Sequence, residues 1–343
     1  MCQKNKRNYK TYIFINFAIL VNFNTFADTV SVKDSKIYVN GERYYIKGIC
    51  YHPVPLGKWR RSFETLSDDV ALMNEAGINT IRVYEPILDK NVLDILASNN
   101  IKVIVSLGFN QSGLYDINSG TYEVYINEFK DHPAILMWEL GNEYNYHPEW
   151  FGGKISNWYK AANNAAKRIK EIDPNHPVST AHGDLPDKQA RRLLDSIDAW
   201  GFNVYRWDKP MSIAEEWAQV SDKPFYFSEA GADSFMTQEF EDLMAGPNQE
   251  AQARANAIII DEIFSDSNNN LGILLFSMVD GLWKAGNPSK QDPGGAAPFS
   301  TGVPYDGAAN EEYWGIVDIE RNKKISFNVV KDRYQNFRFS EED

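Results

Sequence analysis

The stretch ILMWELGNE, residues 135–143, is an apolar run that ends abruptly in polar residues. Such a run is typical of a strand buried on both faces of a parallel sheet, with chemically active side chains where the strand meets solvent. Similar short runs recur and alternate with amphipathic helical patterns. We interpret them as eight strands, at residues 45–51, 79–84, 102–109, 135–142, 177–183, 199–205, 224–231 and 272–281.

Helical periodicity fills the intervals between these strands. The clearest case is residues 155–172, where apolar side chains recur every three to four positions until Asp173–Pro174 stops the pattern. Eight strands with a helix after each predict an α/β fold, the (β/α)8 TIM barrel. We expect a short N-terminal β-hairpin around VNGE (39–42), and a long Gly/Pro-rich loop after strand eight, residues 284–315. A doubly wound open sheet is the alternative, which the lack of a Gly-rich phosphate loop disfavours.

Composition narrows the class of protein. The 343 residues carry a formal net charge of −12, which argues against nucleic acid as a partner because phosphate binding needs a basic face. Aromatic residues reach 13%, which suits a sugar-binding cleft and equally suits a large aromatic core. The two cysteines, Cys2 and Cys50, do not match metal-ligand spacing, and we expect Cys50 to be a buried small hydrophobe.

The N-terminus is typical of a secretory signal peptide. Four basic residues precede the apolar run TYIFINFAILVNF (11–23), namely Lys4, Lys6, Arg7 and Lys10. Small residues follow the run at Thr25 and Ala27. We therefore predict a signal peptide over residues 1–27 and one catalytic domain over residues 28–343. The protein would be secreted or periplasmic, with no membrane association after cleavage. An uncleaved anchor is the alternative, although the run is shorter than the roughly 20 apolar residues that a spanning helix needs.

Two glutamates stand at the ends of predicted strands. Glu143 and Glu139 share one side of strand four, about 13 Å apart at roughly 3.3 Å per residue, so they cannot serve the same bond. We expect Glu143 at the mouth of the barrel and Glu139 in a buried structural pair. Glu229 ends strand seven in PFYFSEAG (224–231), and an unpaired charge buried there would be costly. A pair of carboxylates facing one cleft is what glycosidic bond cleavage needs, although an ion pair inside the barrel is the alternative for Glu229.

These motifs resemble those of clan A of the retaining glycoside hydrolases. GNE (141–143) ends strand four, and SEAG (228–231) ends strand seven. VNGERYYIKGICYHP (39–53) and NTIRVYEP (79–86) resemble the barrel domain of glycoside hydrolase family 2 and the β-1,3-glucanosyltransferases. The sequence lacks the large β-sandwich ahead of the barrel that is found in family 2, and it lacks the cysteines that are common in the glucanosyltransferases.

The resemblance implies a role for each matching residue. Glu143 would be the acid/base and Glu229 the nucleophile. Residues implied in substrate binding or in support of the nucleophile are Arg82, Asn142, Asn203, Tyr205 and Trp283. His52 and His182, at the ends of strands one and five, could donate hydrogen bonds to sugar hydroxyls. Two of these positions keep a structural alternative, since Arg82 could simply pair with Glu139 and Trp283 could pack in the long loop.

The expected reaction is a double displacement on a neutral β-linked glucan or oligosaccharide, with β-mannan and then β-galactan as the alternative substrates. It requires no metal and no organic cofactor. Hydrolysis and transglycosylation use the same residues, so the sequence leaves open whether water or a second sugar accepts the glycosyl group. Aromatic residues Trp150, Trp207 and Tyr313 are candidates for an acceptor platform. A carbohydrate-binding barrel without catalysis is the remaining alternative.

Overall fold

The computed structural model of the protein describes residues 28–109, 115–266, 269–293 and 305–339. Three antiparallel strands come first, β1 (Val30–Lys33), β2 (Lys36–Val39) and β3 (Glu42–Tyr44). The barrel strands are β4 (Ile46–Cys50), β5 (Thr80–Val83), β6 (Lys102–Leu107), β7 (Ile135–Asn142), β8 (Val178–Gly183), β9 (Ala199–Asn203), β10 (Phe225–Ala230) and β13 (Asn270–Leu275). A small pair, β11 (Phe235–Met236) and β12 (Gly246–Pro247), lies in the connection after β10.

The eight parallel strands close into a barrel, because β13 pairs with β10 on one side and with β4 on the other. A helix follows each strand. The helices are α1 (Leu66–Ala76), α2 (Lys90–Ser98), α3 (Tyr122–Phe129), α4 (Ile155–Ile172), α5 (Lys188–Leu193), α6 (Ser212–Ala218), α7 (Gln249–Phe264) and α8 (Ile325–Asn336). The predicted (β/α)8 fold is confirmed.

The N-terminal strands close one end of the barrel. Ile37 of β2 is fully buried against barrel-lining residues that include Ile46, Ile104 and Leu136. The expected hairpin is a three-stranded sheet, because residues 30–33 also pair with residues 36–39 around a turn at Asp34 and Ser35. This sheet covers the N-terminal ends of the barrel strands, so the opposite rim, which carries the active sites of such barrels, stays open.

Strand eight is shorter than the sequence predicts. β13 ends at Leu275, whereas the apolar run extends to residue 281. Beyond Leu275 the backbone still bonds to the barrel, because the Met278 N–H donates to the carbonyl of Cys50, whereas the Ser277 N–H donates to the carbonyl of Trp314 in the later connection. The residues that follow the strand therefore form part of the barrel rim.

Two predicted segments lie partly or wholly outside the described residues. They are the signal peptide, residues 1–27, and the centre of the long loop, residues 294–304. Within the described ranges, no helix combines the length and the apolarity that crossing a bilayer requires.

Candidate active site

A cavity of about 430 Å³ opens at the carboxyl ends of the barrel strands. Its wall draws on the ends of six strands, which supply Cys50, His52, Tyr84, Asn142, Glu143, Asn203, Tyr205, Glu229 and Phe276. Parallel strands in a closed barrel all end at one rim, so polar residues that are far apart in sequence converge there. Both candidate glutamates face this cavity.

Glu143 reaches the cavity through an irregularity in β7. The pairing of β7 with β8 shifts register between Leu140 and Asn142, and Gly141 has a φ of +71°. A Cβ on Gly141 would lie 2.6 Å from the Trp158 ring of α4, so only glycine fits. Glu143 itself adopts a left-handed conformation with φ of 53°. The direction of the Glu143 side chain therefore depends on this irregularity, a β-bulge, and not on simple alternation along the strand.

The surroundings of Glu143 favour its protonated form. Burial in the cavity wall and, as a smaller contribution, the negative charge of Glu229 raise the pKa of the Glu143 carboxyl to about 7. A hydrogen bond with Asn203 opposes this shift. A carboxylic acid that holds its proton near neutral pH is suited to general acid catalysis.

Glu229 is surrounded by hydrogen-bond donors. Its Oε1 accepts from the Tyr84 hydroxyl at 2.7 Å and from Arg82 Nη1 at 2.8 Å, and its Oε2 accepts from the Tyr205 hydroxyl at 2.8 Å. The side chain is buried, with 6% of the residue exposed. Three donors, one of them a cation, hold this carboxyl group in one orientation. An oriented carboxylate is suited to nucleophilic attack.

Arg82 connects the two ends of this arrangement. Its guanidinium contacts Glu229 at 2.8 Å and the deeper Glu139 at 2.8 Å, and Nη2 donates to the Asn142 side-chain oxygen at 2.8 Å. The pair with Glu139 was the structural alternative for Arg82, and the structure shows both contacts at once. The arginine thus links a buried ion pair below the cavity to the carboxylate in its wall.

The two asparagines beside the glutamates form a short chain of hydrogen bonds. Asn203 Nδ2 donates to Asn142 Oδ1 at 3.1 Å, and the Ser228 hydroxyl donates to Asn203 Oδ1 at 2.6 Å. The oxygen of the Asn142 amide therefore accepts from both Asn203 and Arg82. That arrangement leaves its NH2 group as the donor that can face a sugar hydroxyl.

His52 and Trp283 lie together in the cavity wall, with ring centroids 5.0 Å apart. Burial lowers the pKa of His52 to about 4, and the charges of Arg61 and Lys284 act in the same direction. The neutral imidazole has a buried Nδ1 without a partner among the described residues. A ring of this kind is able to exchange a hydrogen bond with a ligand.

Two predicted site residues do not line the cavity: Arg82, which is fully buried beneath it, and His182. The His182 ring lies between Tyr159 of α4 and Trp200 of β9, in the layer between sheet and helices. Its Nδ1 faces the carbonyl oxygens of Gly183 and Asp184, each at 3.0 Å. The expected donation from His182 to a sugar hydroxyl has no support in this placement, because the side chain points out of the barrel.

The acceptor-platform candidates are likewise set back from the cavity. Trp150 is 51% exposed and stacks on His147, with ring centroids 3.9 Å apart, and it is His147 that lines the wall. Trp207 packs against Tyr305, and Tyr313 packs against Phe235. None of the three lines the cavity itself, and Trp150 is connected to it through its stacking contact with His147.

Several wall residues were not predicted from the sequence. Tyr84 stands two positions after Arg82 in the quoted motif NTIRVYEP, so strand alternation could have identified it. Lys284 and Glu311 come from separate parts of the long connection after β13, and no local pattern marks them. Among the described residues, no group of three His, Cys, Asp or Glu side chains is arranged to hold a metal ion.

Comparison with known proteins places this geometry in a family context. The family model described as Glycosyl hydrolases family 2, TIM barrel domain, matches residues 30–250. The 1,3-beta-glucanosyltransferase GAS4 of Saccharomyces cerevisiae is 23% identical in an alignment 318 positions long that covers 79% of this chain and 66% of that protein. A beta-glucuronidase of Paenibacillus borealis is 21% identical in an alignment 280 positions long that covers 74% of this chain and 45% of that protein. The chain thus spans less than two thirds of the length of either relative.

Solved structures share the barrel. The GH2 beta-galacturonidase of Eisenbergiella tayi bound to galacturonate matches with a TM-score of 0.64 at 20% identity, covering 91% of this chain and 55% of that one. The beta-glucuronidase of Faecalibacterium prausnitzii matches with a TM-score of 0.67 at 18% identity, covering 91% and 53%. At such identities the likeness concerns the fold, which agrees with the closed barrel described above.

Proposed function

Because the chain belongs to glycosyl hydrolase family 2 through its TIM barrel domain, we propose that it is a retaining glycosidase with Glu143 as acid/base and Glu229 as nucleophile. The observation that carries this proposal is the contrast between the two glutamates in one cavity. Glu229 accepts three hydrogen bonds as a carboxylate, whereas burial raises the pKa of Glu143 to about 7. Different environments for two carboxyls are how such enzymes divide the roles of base and acid.

The proposed reaction has two displacements. In the first, an oxygen of Glu229 attacks the anomeric carbon, the bond from that carbon to the leaving oxygen breaks, and Glu143 gives its proton to the leaving oxygen. In the second, Glu143 takes a proton from water, the water oxygen attacks the anomeric carbon, and the bond to Glu229 breaks. The configuration at that carbon is retained, and the enzyme returns to its starting protonation.

We propose a neutral β-linked glucan or oligosaccharide as the substrate. Support comes from the apolar and aromatic part of the wall, where Phe276, Trp283 and Trp314 alternate with hydrogen-bonding groups. Flat rings pack on the apolar faces of sugars while polar side chains meet the hydroxyls. The relatives include both glucanosyltransferases and glucuronidases, so their names alone do not identify the sugar at this site.

Transglycosylation is the second candidate, and one observation favours it. His147 lines the wall four residues after Glu143 and stacks on the half-exposed Trp150. A glycan acceptor could lie on this aromatic pair, beside the acid/base that must deprotonate it. If so, a sugar hydroxyl would replace water in the second displacement without any other change in the site.

A product profile distinguishes these functions. The protein would be incubated with β-glucan oligosaccharides of defined length, and its Glu229→Ala variant would serve as the inactive reference. Shorter products alone indicate hydrolysis, and products longer than the donor indicate transfer. Unchanged wild-type activity in Glu229→Ala would refute the assigned nucleophile. Binding without turnover of any β-glycan by the wild type would favour the non-catalytic carbohydrate-binding barrel.

We also propose that residues 1–27 direct export to the periplasm or the medium. The basic start, the apolar run of 13 residues and the small residues near Ala27 support this proposal. Expression of the full chain followed by mass determination of the exported protein tests it. The expected mass is that of a chain whose first residue lies near Asp28. A full-length product found exclusively in the cytoplasm would contradict the proposed export.

A further inference from the structure

Lys284 and Glu311 form an ion pair in the cavity wall. The Lys284 ammonium lies 2.5 Å from Glu311 Oε2, and the side chains are 23% and 21% exposed. The same ammonium lies 4.3 Å from the centre of the Phe276 ring. Carboxylate and ring together hold the lysine in place beside Trp283, on the wall formed by the residues that follow β13.

The charges of the wall are unbalanced. Among the lining residues that the structure describes, the acidic side chains are Glu143, Asp184, Glu229 and Glu311, and Lys284 supplies the positive charge. Arg82 lies beneath the wall, fully buried, with its guanidinium held by Glu139, Glu229 and Asn142. An anionic ligand therefore meets one cation in the wall, and that cation already has a carboxylate partner.

We propose that the Lys284–Glu311 pair excludes uronic acids from this cavity and presents Lys284 as a hydrogen-bond donor to the hydroxyl groups of a neutral sugar. This inference rests on the proposed glycosidase function and concerns the sugar that the site accepts. It separates this chain from the glucuronidases and the galacturonidase that share its barrel, since those enzymes are named for uronic acid substrates.

The exclusion follows from competition for one ammonium group. A uronate carboxylate placed beside Lys284 would lie next to the carboxylate of Glu311, and the two like charges would repel each other. Displacing Glu311 instead would leave its charge partly buried without a partner, which is also unfavourable. A neutral hydroxyl has neither cost, because an ammonium group has three protons to donate and the pair with Glu311 need not break.

The prediction is that neutralising Glu311 opens the cavity to uronides. The quantity to measure is kcat/KM for a 4-nitrophenyl β-glucuronide divided by kcat/KM for the matching β-glucoside. In Glu311→Gln this ratio should rise at least tenfold over wild type. The same rise is expected for the β-galacturonide relative to the β-galactoside. The Lys284→Met/Glu311→Gln double variant should lose this gain, because the cation that receives the carboxylate is gone. Glu171→Gln, which removes the carboxylate of an exposed ion pair with Arg168, is the matched control and should leave both ratios unchanged.

Equilibrium binding separates this inference from the proposed function. Titration calorimetry with methyl β-glucoside and methyl β-glucuronide reports sugar preference even if no glycoside is cleaved. If neither the wild type nor any variant cleaves a glycoside, but Glu311→Gln shifts the binding preference toward the uronide, the proposed glycosidase function would be refuted and the exclusion of uronic acids by the Lys284–Glu311 pair would stand. Two results would overturn the proposed exclusion. One is a wild-type protein that binds the uronide more tightly than the glucoside. The other is a Glu311→Gln variant that melts at the wild-type temperature and shows an unchanged ratio of uronide to glucoside affinity.

Discussion

Arg82 and Glu139 form an ion pair at 2.8 Å in which both side chains are wholly buried. Glu139 also accepts a 2.7 Å hydrogen bond from the Tyr226 hydroxyl. Nη1 of the same guanidinium donates to Glu229 Oε1 at 2.8 Å. A residue deep in the barrel therefore sets the position of the cation that orients the proposed nucleophile.

Removal of this cation should destabilise the protein strongly. Arg82→Met leaves Glu139 and Glu229 buried without a positive partner, and breaking such a buried pair costs roughly 3–5 kcal/mol. We expect a fall of that size in the free energy of unfolding measured with urea. The matched control is Arg168→Met, whose guanidinium pairs with Glu123 and Glu171 in solvent, so that its loss should change the free energy of unfolding far less. Equal losses in the two variants would contradict the role assigned to Arg82.

The pH dependence of activity should report the proton on Glu143. Burial, followed by the charge of Glu229, raises the pKa of this carboxyl to about 7. The first displacement needs the protonated form, so kcat/KM should fall as pH rises through about 7. Glu143→Gln should lower the rate by roughly 10²- to 10⁴-fold with poor leaving groups and should lose this alkaline limb. An identical limb in the variant would assign the titration to another group.

Glu143 should also make stability depend on pH. Its pKa is raised in the folded protein from an ordinary value of 4.5 to about 7, so unfolding releases a proton between these values. Stability should therefore decline as pH rises from about 4.5 to about 7 and stay reduced above that, by an amount on the order of 3 kcal/mol. Glu143→Gln should melt near the wild-type temperature at pH 4.5 and above it at pH 8.

An exposed glutamate supplies the control for that comparison. Glu215→Gln on α6 should change the melting temperature little at either pH, because its side chain is in solvent. If Glu215→Gln and Glu143→Gln show the same melting temperatures relative to wild type at pH 4.5 and at pH 8, the burial of Glu143 does not cause the pH dependence of stability.

The two tyrosines that donate to Glu229 should each contribute to catalysis. A hydrogen bond to a charged group contributes about 1.5–3 kcal/mol, so Tyr84→Phe and Tyr205→Phe should each lower kcat/KM by roughly 10- to 100-fold. Tyr44→Phe removes a hydroxyl that donates 2.8 Å to the Asn79 carbonyl near the opposite end of the barrel. This control should change stability and leave kcat/KM near wild type. Unaltered kinetics in both active-site variants would mean that these hydroxyls do not act on the nucleophile.

Gly141 should be indispensable for the placement of Glu143. Gly141→Ala would put a Cβ 2.6 Å from the Trp158 ring in a backbone conformation that non-glycine residues rarely adopt. We expect kcat to fall more than stability alone would explain, since the bulge that aims Glu143 must shift. Gly153→Ala has a similar positive φ of 75° but open space around its Cβ, and it should cost stability only. Full activity in a folded Gly141→Ala variant would show that the bulge is not needed.

Strand alternation predicted part of the site and failed where the strand becomes irregular. The parity of Glu139 and Glu143 predicted a shared side, and Glu139 does lie inside the barrel. Glu143, however, follows the bulge at Gly141, so its direction depends on local backbone geometry that a period of two does not contain. His182 differs, because β8 pairs with β9 without a register shift: His182 has the opposite parity to Ser179, whose hydroxyl contacts Tyr226 inside the barrel, and it therefore faces the helices.

The barrel and its order of elements could be predicted from the sequence, because apolar runs and helical periodicity show which faces are buried. The two candidate glutamates could be identified as well, because a carboxylate at the end of an apolar strand is unusual. Which neighbours surround those glutamates became known only from the folded structure. Arg82 joins Glu139 to Glu229, and Lys284 meets Glu311 across the connection after β13. Such contacts join residues 27 to 147 positions apart. Local patterns carry no information about them, because closure of the barrel brings strand ends together whatever their separation along the chain.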